Sequence, residues 1–199
     1  MTNATSNTHS RDGFWNRVRL ALRGHQNAPG TPLPRSGGFE AALARGWHKA
    51  ATAASPLTLM LIEIDELADY FATYGAQAAD ACFAEVQETL ATVLPREDDA
   101  CVAVSPGRFG VVLPELSPHL AQPVAAAMAQ AVRRLGRPHK ASHAGTVTVS
   151  MGLAVVVPEG TLDGRLVDAA QQALRRAQRR GIGRLEVVDL RPRQERQAA

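Results

Sequence analysis

The chain has 199 residues, of which 45% are hydrophobic and 21% charged, and its formal net charge is +3. These values are typical of an ordinary globular protein with one well-packed domain and tails. The sequence contains no run of about 18 apolar residues and no apolar signal core at its N-terminus. It therefore predicts neither a transmembrane segment nor secretion, and we expect a cytoplasmic location.

The two ends of the chain are predicted to lie outside the folded domain. Residues 1–35 are predicted to be a flexible segment, and residues 191–199 a disordered tail. Within the first segment, Arg11–Gly24 has apolar residues at helical spacing and arginines on the other side. This pattern predicts a short amphipathic helix that meets its own domain, a second copy of the chain, a partner or a membrane.

Residues 36–190 are predicted to form one domain from alternating helical and strand patterns. The first half comprises a helix, a near-continuous apolar strand, a helix broken at Thr73-Tyr74-Gly75, and a further helix. These elements are Ser36–Ala54, Leu57–Ile64, Asp65–Phe71 and Gln77–Val93.

The second half begins with a hairpin whose turn is Ser105-Pro106-Gly107-Arg108. Its strands and the later elements are strand Cys101–Val104, strand Phe109–Leu113, helix Ser117–Leu135, strand Thr146–Val157, helix Leu162–Arg180 closed by Gly181, and strand Arg184–Val188. Five strands with helices for both faces predict an α/β sandwich with a central mixed five-stranded sheet flanked by helices.

Three segments carry a resemblance to a known family. They are LMLIEIDELADYFATYGAQAADACF (residues 59–83), VTVSMGLA (147–154) and AAQQALRRAQRRGIGRLEVV (169–188). In this order and spacing they resemble the diguanylate cyclase family, named GGDEF for the motif of its hairpin. The resemblance implies the nucleotide-cyclase-like fold and a role in cyclic di-GMP signalling.

The family's metal site is changed in this sequence. The resemblance implies that an acid ending the first strand and the first acid of the hairpin motif hold two divalent metals, which bridge the triphosphate of GTP. The strand position is Glu63, followed by Ile64 and Asp65, whereas the two hairpin acids are replaced by Gly107 and Arg108. Glu63 is therefore expected to be the only residual metal ligand, and no metal site is predicted.

The other nucleotide contacts of the family are mostly missing as well. Phe71 stands at the guanine-binding Asn position, whereas the Asp is retained as Asp80, which is either a guanine contact or a capping or surface acid. Neutral residues occupy the three cation positions that the family uses for the triphosphate, and they are Ala68, Gln178 and Ile182. We expect no catalytic residue and no cofactor, because each lost electrostatic stabiliser costs on the order of 100-fold in rate.

One family feature is kept, the inhibitory Arg-x-x-Asp motif that precedes the hairpin. Here it reads Arg96-Glu97-Asp98-Asp99, and Ala100–Val104 separates it from the hairpin motif. The resemblance implies that Arg96 and Asp99 bind cyclic di-GMP, since a guanidinium forks onto phosphate or guanine and a carboxylate accepts from guanine. The alternative is an exposed charged turn between a helix and a strand.

Several other candidates are expected to be structural. Cys82 and Cys101 lack metal or redox spacing and are expected to be buried, reduced thiols. His139 and His143 lie in a basic loop and are expected to be solvated. The cluster Arg175, Arg176, Arg179 and Arg180 is expected to be a solvated helix face and not a DNA contact, because no aromatic platform accompanies it.

Three hypotheses follow for the function. The first is a catalytically inactive, degenerate GGDEF domain that binds cyclic di-GMP through Arg96 and Asp99 and passes that state to a protein partner. The second is a protein-interaction scaffold without a ligand, arranged as a homodimer through its N-terminal helix. The third is residual cyclase activity with Mg²⁺, for which Glu63, Asp65 and Asp80 would have to suffice.

Overall fold

The structure is a computed structural model, and it describes residues 37–192. These residues form four helices and five strands. In chain order they are α1 (Gly37–Thr52), β1 (Leu57–Ile64), α2 (Leu67–Thr92), β2 (Ala100–Ser105), β3 (Arg108–Pro114), α3 (Pro118–Arg134), β4 (Val149–Val156), α4 (Arg165–Arg179) and β5 (Leu185–Asp189). The segments 1–36 and 193–199, including the amphipathic helix predicted at Arg11–Gly24, lie outside the described residues.

The five strands form one mixed sheet in the order β2-β3-β1-β4-β5. The central strand β1 pairs antiparallel with β3 and with β4, whereas β5 runs parallel to β4. This arrangement confirms the predicted α/β sandwich.

Strand β1 is buried on both faces, which explains its near-continuous apolar sequence. Its side chains alternate between two core layers. Met60 and Ile62 belong to the layer under α2 and α3, which includes Val86 and Met128. The other face of the sheet packs against α1 and α4 through Leu57, Leu59, Leu61, Trp47 and Leu174.

Helix α4 lies very close to β4 because Gly152 has no side chain. A Cβ atom at Gly152 would stand 2.1 Å from the backbone nitrogen of Leu174 and 2.3 Å from the carbonyl oxygen of Ala170. This close contact sets the position of α4, and with it the position of the turn that leads into β5.

The element boundaries differ from the predictions in places. The break expected at Thr73-Tyr74-Gly75 is a kink inside α2, where Gly75 has φ 82° and ψ 178°. Strand β4 begins at Val149 and not at Thr146, because Thr146 pairs with Pro138 in an isolated bridge within the preceding loop. Helix α4 begins at Arg165, three residues later than predicted.

The prediction that His139 is solvated is wrong, whereas His143 is exposed as expected. The loop before β4 folds onto the start of α2, so that His139 Nε2 lies 3.1 Å from the carbonyl oxygen of Glu66. The His139 ring also packs against the Tyr70 ring in a T-shaped arrangement, with 5.2 Å between ring centroids. Tertiary packing therefore buries a loop residue that the local sequence marks as polar.

Cys82 is buried and Cys101 partly buried, and both thiols are free. Burial raises the pKa of each to about 11, which keeps both protonated near neutral pH. At the C-terminal end of the described residues, Arg191 is buried and its guanidinium donates to the carboxylate of Asp189. Across residues 37–192, no helix has the length and apolar content needed to cross a membrane.

Candidate functional site

The hairpin tip lies at the end of β1, where Ser105 pairs with Arg108 across the two turn residues. Pro106 followed by Gly107, whose φ is 76°, fits the sequence pattern of a type II turn. The carbonyl oxygen of Gly107 accepts a hydrogen bond from the backbone N–H of Ile64 at 2.9 Å. A Cβ atom at Gly107 would stand 2.4 Å from Leu67 Cδ2, so both the conformation and the packing favour glycine.

At this tip, Arg108 binds Glu63. The two residues are direct partners in the β1–β3 register. Arg108 Nε donates to Glu63 Oε2 at 2.8 Å, and Arg108 Nη2 donates to the same oxygen. The side chains are only 15% and 13% exposed, respectively. The carboxylate at the end of β1 is therefore balanced by a guanidinium that the neighbouring strand holds in place.

Asp65 lies two residues further on and is bonded by three donors. Thr148 Oγ1 donates at 2.7 Å, Ser150 Oγ at 2.6 Å and the backbone N–H of Gly183 at 2.9 Å. Burial raises the pKa of Asp65, and these three hydrogen bonds only partly oppose that effect. Asp65 thus joins the end of β1 to the start of β4 and to the turn before β5.

These residues do not fit a pair of divalent cations. Such ions need several converging oxygen ligands, most of them anionic. Glu63 is paired with a guanidinium, and Asp65 accepts from two hydroxyls and an amide. In the described part of the chain, no group of three or more His, Cys, Asp or Glu side chains is arranged to hold a metal.

The structure places the two guanine-contact positions on α2, on either side of the kink at Gly75. Phe71 packs against the core layer under α2 and α3 and offers no amide group. Asp80 is partly buried on the second part of the helix. Of the two guanine-contact positions that the resemblance implies, only Asp80 carries a polar side chain, and its role there stays a prediction.

The Arg96–Asp99 motif forms an internal ion pair. The guanidinium of Arg96 donates from Nη2 to Asp99 Oδ1 at 2.7 Å and to the carbonyl oxygen of Pro114 at 2.5 Å. The backbone N–H of Arg96 also donates to Asp99 Oδ2 at 3.1 Å. The side chain of Asp99 has no exposed surface, whereas that of Arg96 is 35% exposed. The pair closes the connection from α2 to β2 and ties it to the end of β3.

The two candidate sites lie at opposite ends of β3. Arg108 begins this strand and Pro114 ends it, which places them about 20 Å apart at a rise of about 3.4 Å per residue. The structure therefore brings Glu63, Ile64, Gly107 and Arg108 together at one end. It leaves Arg96 and Asp99 at the other end.

Sequence reasoning missed the bond between Arg108 and Glu63 and the three donors to Asp65. The bond between Arg108 and Glu63 could have been predicted, because the predicted fold places the hairpin beside the first strand and the two residues carry opposite charges. The donors to Asp65 come from β4 and from the turn before β5, and no local pattern marks Thr148, Ser150 or Gly183 for this role.

Comparison with protein families finds one match, to the family described as diguanylate cyclase, GGDEF domain, over residues 29–184. Among curated proteins, no sequence matches this chain.

Three of the solved structures with a similar fold illustrate the likeness. The active GGEEF domain of a diguanylate cyclase from Vibrio cholerae is 20% identical, with 78% of this chain and 97% of that chain covered and a TM-score of 0.64. The GGDEF domain of DgcB from Caulobacter crescentus, solved in complex with c-di-GMP, is 19% identical, with coverage of 81% and 98% and a TM-score of 0.64. The diguanylate cyclase SiaD from Pseudomonas aeruginosa, in complex with its activator SiaC, is 22% identical, with coverage of 92% and 68% and a TM-score of 0.63.

Proposed function

The chain belongs to the diguanylate cyclase GGDEF-domain family, and we propose that it is a catalytically inactive member that acts as a regulatory module in cyclic di-GMP signalling. Its degenerate hairpin, Ser105-Pro106-Gly107-Arg108-Phe109, would then serve structure and not chemistry. A cytoplasmic location is part of the same proposal.

The ion pair between Glu63 and Arg108 carries the proposal of inactivity. A divalent metal at Glu63 would have to displace the guanidinium that donates two hydrogen bonds to this carboxylate. The displaced charge would remain close to the metal, since Arg108 is held on the adjacent strand. The mutual repulsion adds to the loss of the family's other metal-binding acid at Gly107, and one lost electrostatic stabiliser alone typically costs on the order of 100-fold in rate.

The test is turnover of GTP by the purified full chain, with Mg²⁺ or Mn²⁺, followed by chromatographic detection of cyclic di-GMP. The active Vibrio cholerae GGEEF domain serves as the positive control. We expect no product from this chain under conditions in which the control reacts to completion. Metal-dependent product that disappears in Glu63→Gln would show that the chain is a cyclase and would refute the proposal.

We further propose that the ligand of the module is cyclic di-GMP, bound through Arg96 and Asp99. The partly exposed guanidinium of Arg96 and the position of the motif before the hairpin support this role. In the structure the two side chains bind each other, and Arg96 also binds Pro114. Ligand binding therefore requires the guanidinium to exchange part of these bonds for bonds to a phosphate or a guanine.

Calorimetric titration with cyclic di-GMP tests this proposal. We expect binding by the wild type, loss of binding in Arg96→Ala, and no change in Glu97→Gln, an exposed neighbour in the same turn. Thermal unfolding of each variant is measured in parallel, because Arg96→Ala leaves the buried Asp99 without its partner. A folded wild-type protein that does not bind cyclic di-GMP would reject the receptor role and favour an interaction scaffold.

In either form the module would act on a protein partner. Its fold relative SiaD has been solved in complex with a protein activator, which supports a protein-binding role for this domain type. A homodimer formed through the N-terminal segment is the alternative arrangement, and light scattering of the full chain compared with a chain that starts at Ser36 distinguishes the two.

A further inference from the structure

Two long segments of the sequence contain basic residues but no acids. There is no Asp or Glu between Glu115 and Glu159, and none between Asp168 and Glu186. The first segment includes α3 and the second includes most of α4. Both helices end at the same end of the sheet, since each leads into a strand, β4 or β5, that starts beside the end of β1.

The end of α3 lies close to the turn after α4, which brings the two segments together. Arg133, at the end of α3, lies over the turn that follows α4, where a Cβ atom at Gly183 would stand 2.8 Å from Arg133 Nη2. Gly183 has φ 65°, a conformation that favours glycine, and the missing side chain leaves room for the guanidinium. Arg184 folds back over the same turn, and its Nε would lie 4.0 Å from a Cβ atom at Gly181.

The last turn of α4 and the residue that follows it add three more guanidinium groups. Arg176, Arg179 and Arg180 have the i, i+3, i+4 spacing of one helix face, and all three are exposed. We call the five exposed residues Arg133, Arg176, Arg179, Arg180 and Arg184 the arginine surface.

The arginine surface is not balanced by the rest of the described chain. Arg180 pairs with Glu186, but within residues 37–192 no ion pair is formed by Arg133, Arg176, Arg179 or Arg184. Five guanidinium groups and one carboxylate leave a net charge of +4. The negative ends of two helix dipoles account for only part of this charge. A surface that gathers unpaired arginines from separate elements is suited to an anionic partner.

We propose that the arginine surface is the docking site for an acidic segment, rich in Asp and Glu, of a protein partner. The proposal deepens the proposed regulatory function and rests on it for the existence of a protein partner. Arginine is suited to this role because its planar fork binds carboxylates through two parallel hydrogen bonds.

Two features favour an acidic protein segment over nucleic acid. Single-stranded nucleic acids stack their bases on exposed aromatic side chains. Within residues 37–192 the exposed large apolar side chains are Leu120, Leu162 and Leu190, and none of them is aromatic. The surface comprises one helical turn, about 5 Å long, and the adjacent connection, which matches a short segment better than successive phosphates of a duplex.

The experiment measures the fluorescence anisotropy of a labelled oligo-glutamate peptide titrated with the full chain at physiological ionic strength. The test variants are Arg133→Gln/Arg184→Gln and Arg176→Gln/Arg179→Gln. The control is Arg45→Gln/Arg165→Gln, which removes the same net charge from exposed arginines outside the surface. We expect each test variant to weaken binding about tenfold, as is typical of lost interfacial charges, and the control to bind like the wild type.

Equal losses in the test and control variants would show that only net charge matters and would overturn the proposal. Tighter binding of a DNA duplex with the same number of charges, lost in the same test variants, would overturn it in favour of nucleic acid. The assay contains neither GTP nor cyclic di-GMP. Production of cyclic di-GMP would therefore refute the proposed inactivity, and failure to bind it would refute the receptor role, but neither result would change the outcome of this assay. Failure of this assay would likewise leave those two tests unaffected.

Discussion

Arg108 balances the charge at the hairpin tip, because its guanidinium lies against the carboxylate of Glu63 at the end of β1. Its guanidinium and the carboxylate of Glu63 are both largely shielded from water. Both charges of a shielded pair lose favourable hydration free energy, and only the bonding between the two partners offsets that loss. Removing one partner should therefore destabilise the fold, because the other charge is left shielded from water and without a counter-charge.

The first prediction concerns this pair. We expect Arg108→Ala to lower the free energy of unfolding by about 2–3 kcal/mol, the range for a hydrogen bond to a charged group whose partner stays buried. The measurement is urea unfolding of the wild type and the variant, followed by circular dichroism.

The matched control is the double variant Glu63→Gln/Arg108→Ala, which removes both charges at once and is compared with the single variants Glu63→Gln and Arg108→Ala. Its loss should be clearly smaller than the sum of the two single losses, because neither partner is left as an isolated charge. Additive single losses would mean that the two side chains do not interact in solution.

The second prediction concerns Asp65 and pH. Burial raises the folded-state pKa of Asp65, so the folded chain holds this proton more tightly than the unfolded chain, where the pKa is about 3.9. As the pH rises from the unfolded pKa through the folded pKa, the contribution of Asp65 to stability falls. Above that window the contribution stays constant.

Unfolding free energies of the wild type and Asp65→Asn, measured from pH 3.5 upward in small steps, test this effect. We expect the stability of the wild type relative to the variant to be highest at the acid end and to fall as the pH rises. Ser55→Ala, which removes a hydroxyl with a long bond to the carbonyl oxygen of Ala50, serves as the pH-independent control. A relative stability of Asp65 that increases with pH would contradict the prediction.

At the scale of elements, the contact between α4 and β4 positions the turn that holds Gly183 beside Asp65. Gly152 permits this contact because its missing side chain leaves space for the helix backbone. Backbone atoms cannot move aside as a flexible side chain can, so an added methyl group must push the whole helix away.

The third prediction follows from that contact. Gly152→Ala should destabilise the chain by about 3 kcal/mol or more, at the upper end of overpacking effects. Gly37→Ala is the matched control, since nothing lies within 4 Å of its Cβ position. We expect the control to be neutral or slightly stabilising, and the two thermal unfolding midpoints give the comparison. Equal midpoints would show that α4 does not approach β4 this closely.

At the scale of the whole molecule, two core layers share one sheet. Strand β1 contributes alternate side chains to both layers, so neither layer can be disrupted without affecting this strand. Such coupling favours cooperative unfolding of the domain as one unit.

The fourth prediction tests this cooperativity. Met128→Ala in one layer and Leu174→Ala in the other should each lower the unfolding free energy by about 2–5 kcal/mol, as is usual for truncated core side chains. In each variant, circular dichroism and Trp47 fluorescence, recorded in a Trp15→Phe background, should give the same midpoint. Separate transitions for the two probes would show that the layers unfold independently.

The sequence predicts most of the fold because the spacing of apolar residues along the chain shows which residues of a helix or strand are buried. The strand Leu57–Ile64 has the predicted bounds, since a strand buried on both faces is a continuous apolar run. The hairpin was predicted from the adjacent Pro106 and Gly107, and the kink in α2 lies at a glycine that the sequence marked as a break. The predicted start of β4 at Thr146 is wrong, because Thr146 has a strand-like local sequence but pairs with Pro138 within the loop.

By itself, the sequence determined the order of elements, the sheet with helices on both faces, and the family. Only the tertiary structure decided what the remaining charges do. Glu63 and Arg108 are 45 residues apart, His139 and Glu66 are 73 apart, and Asp65 and Gly183 are 118 apart. Local periodicity carries no information about such contacts, because sheet pairing and the packing of helix ends determine which distant side chains meet.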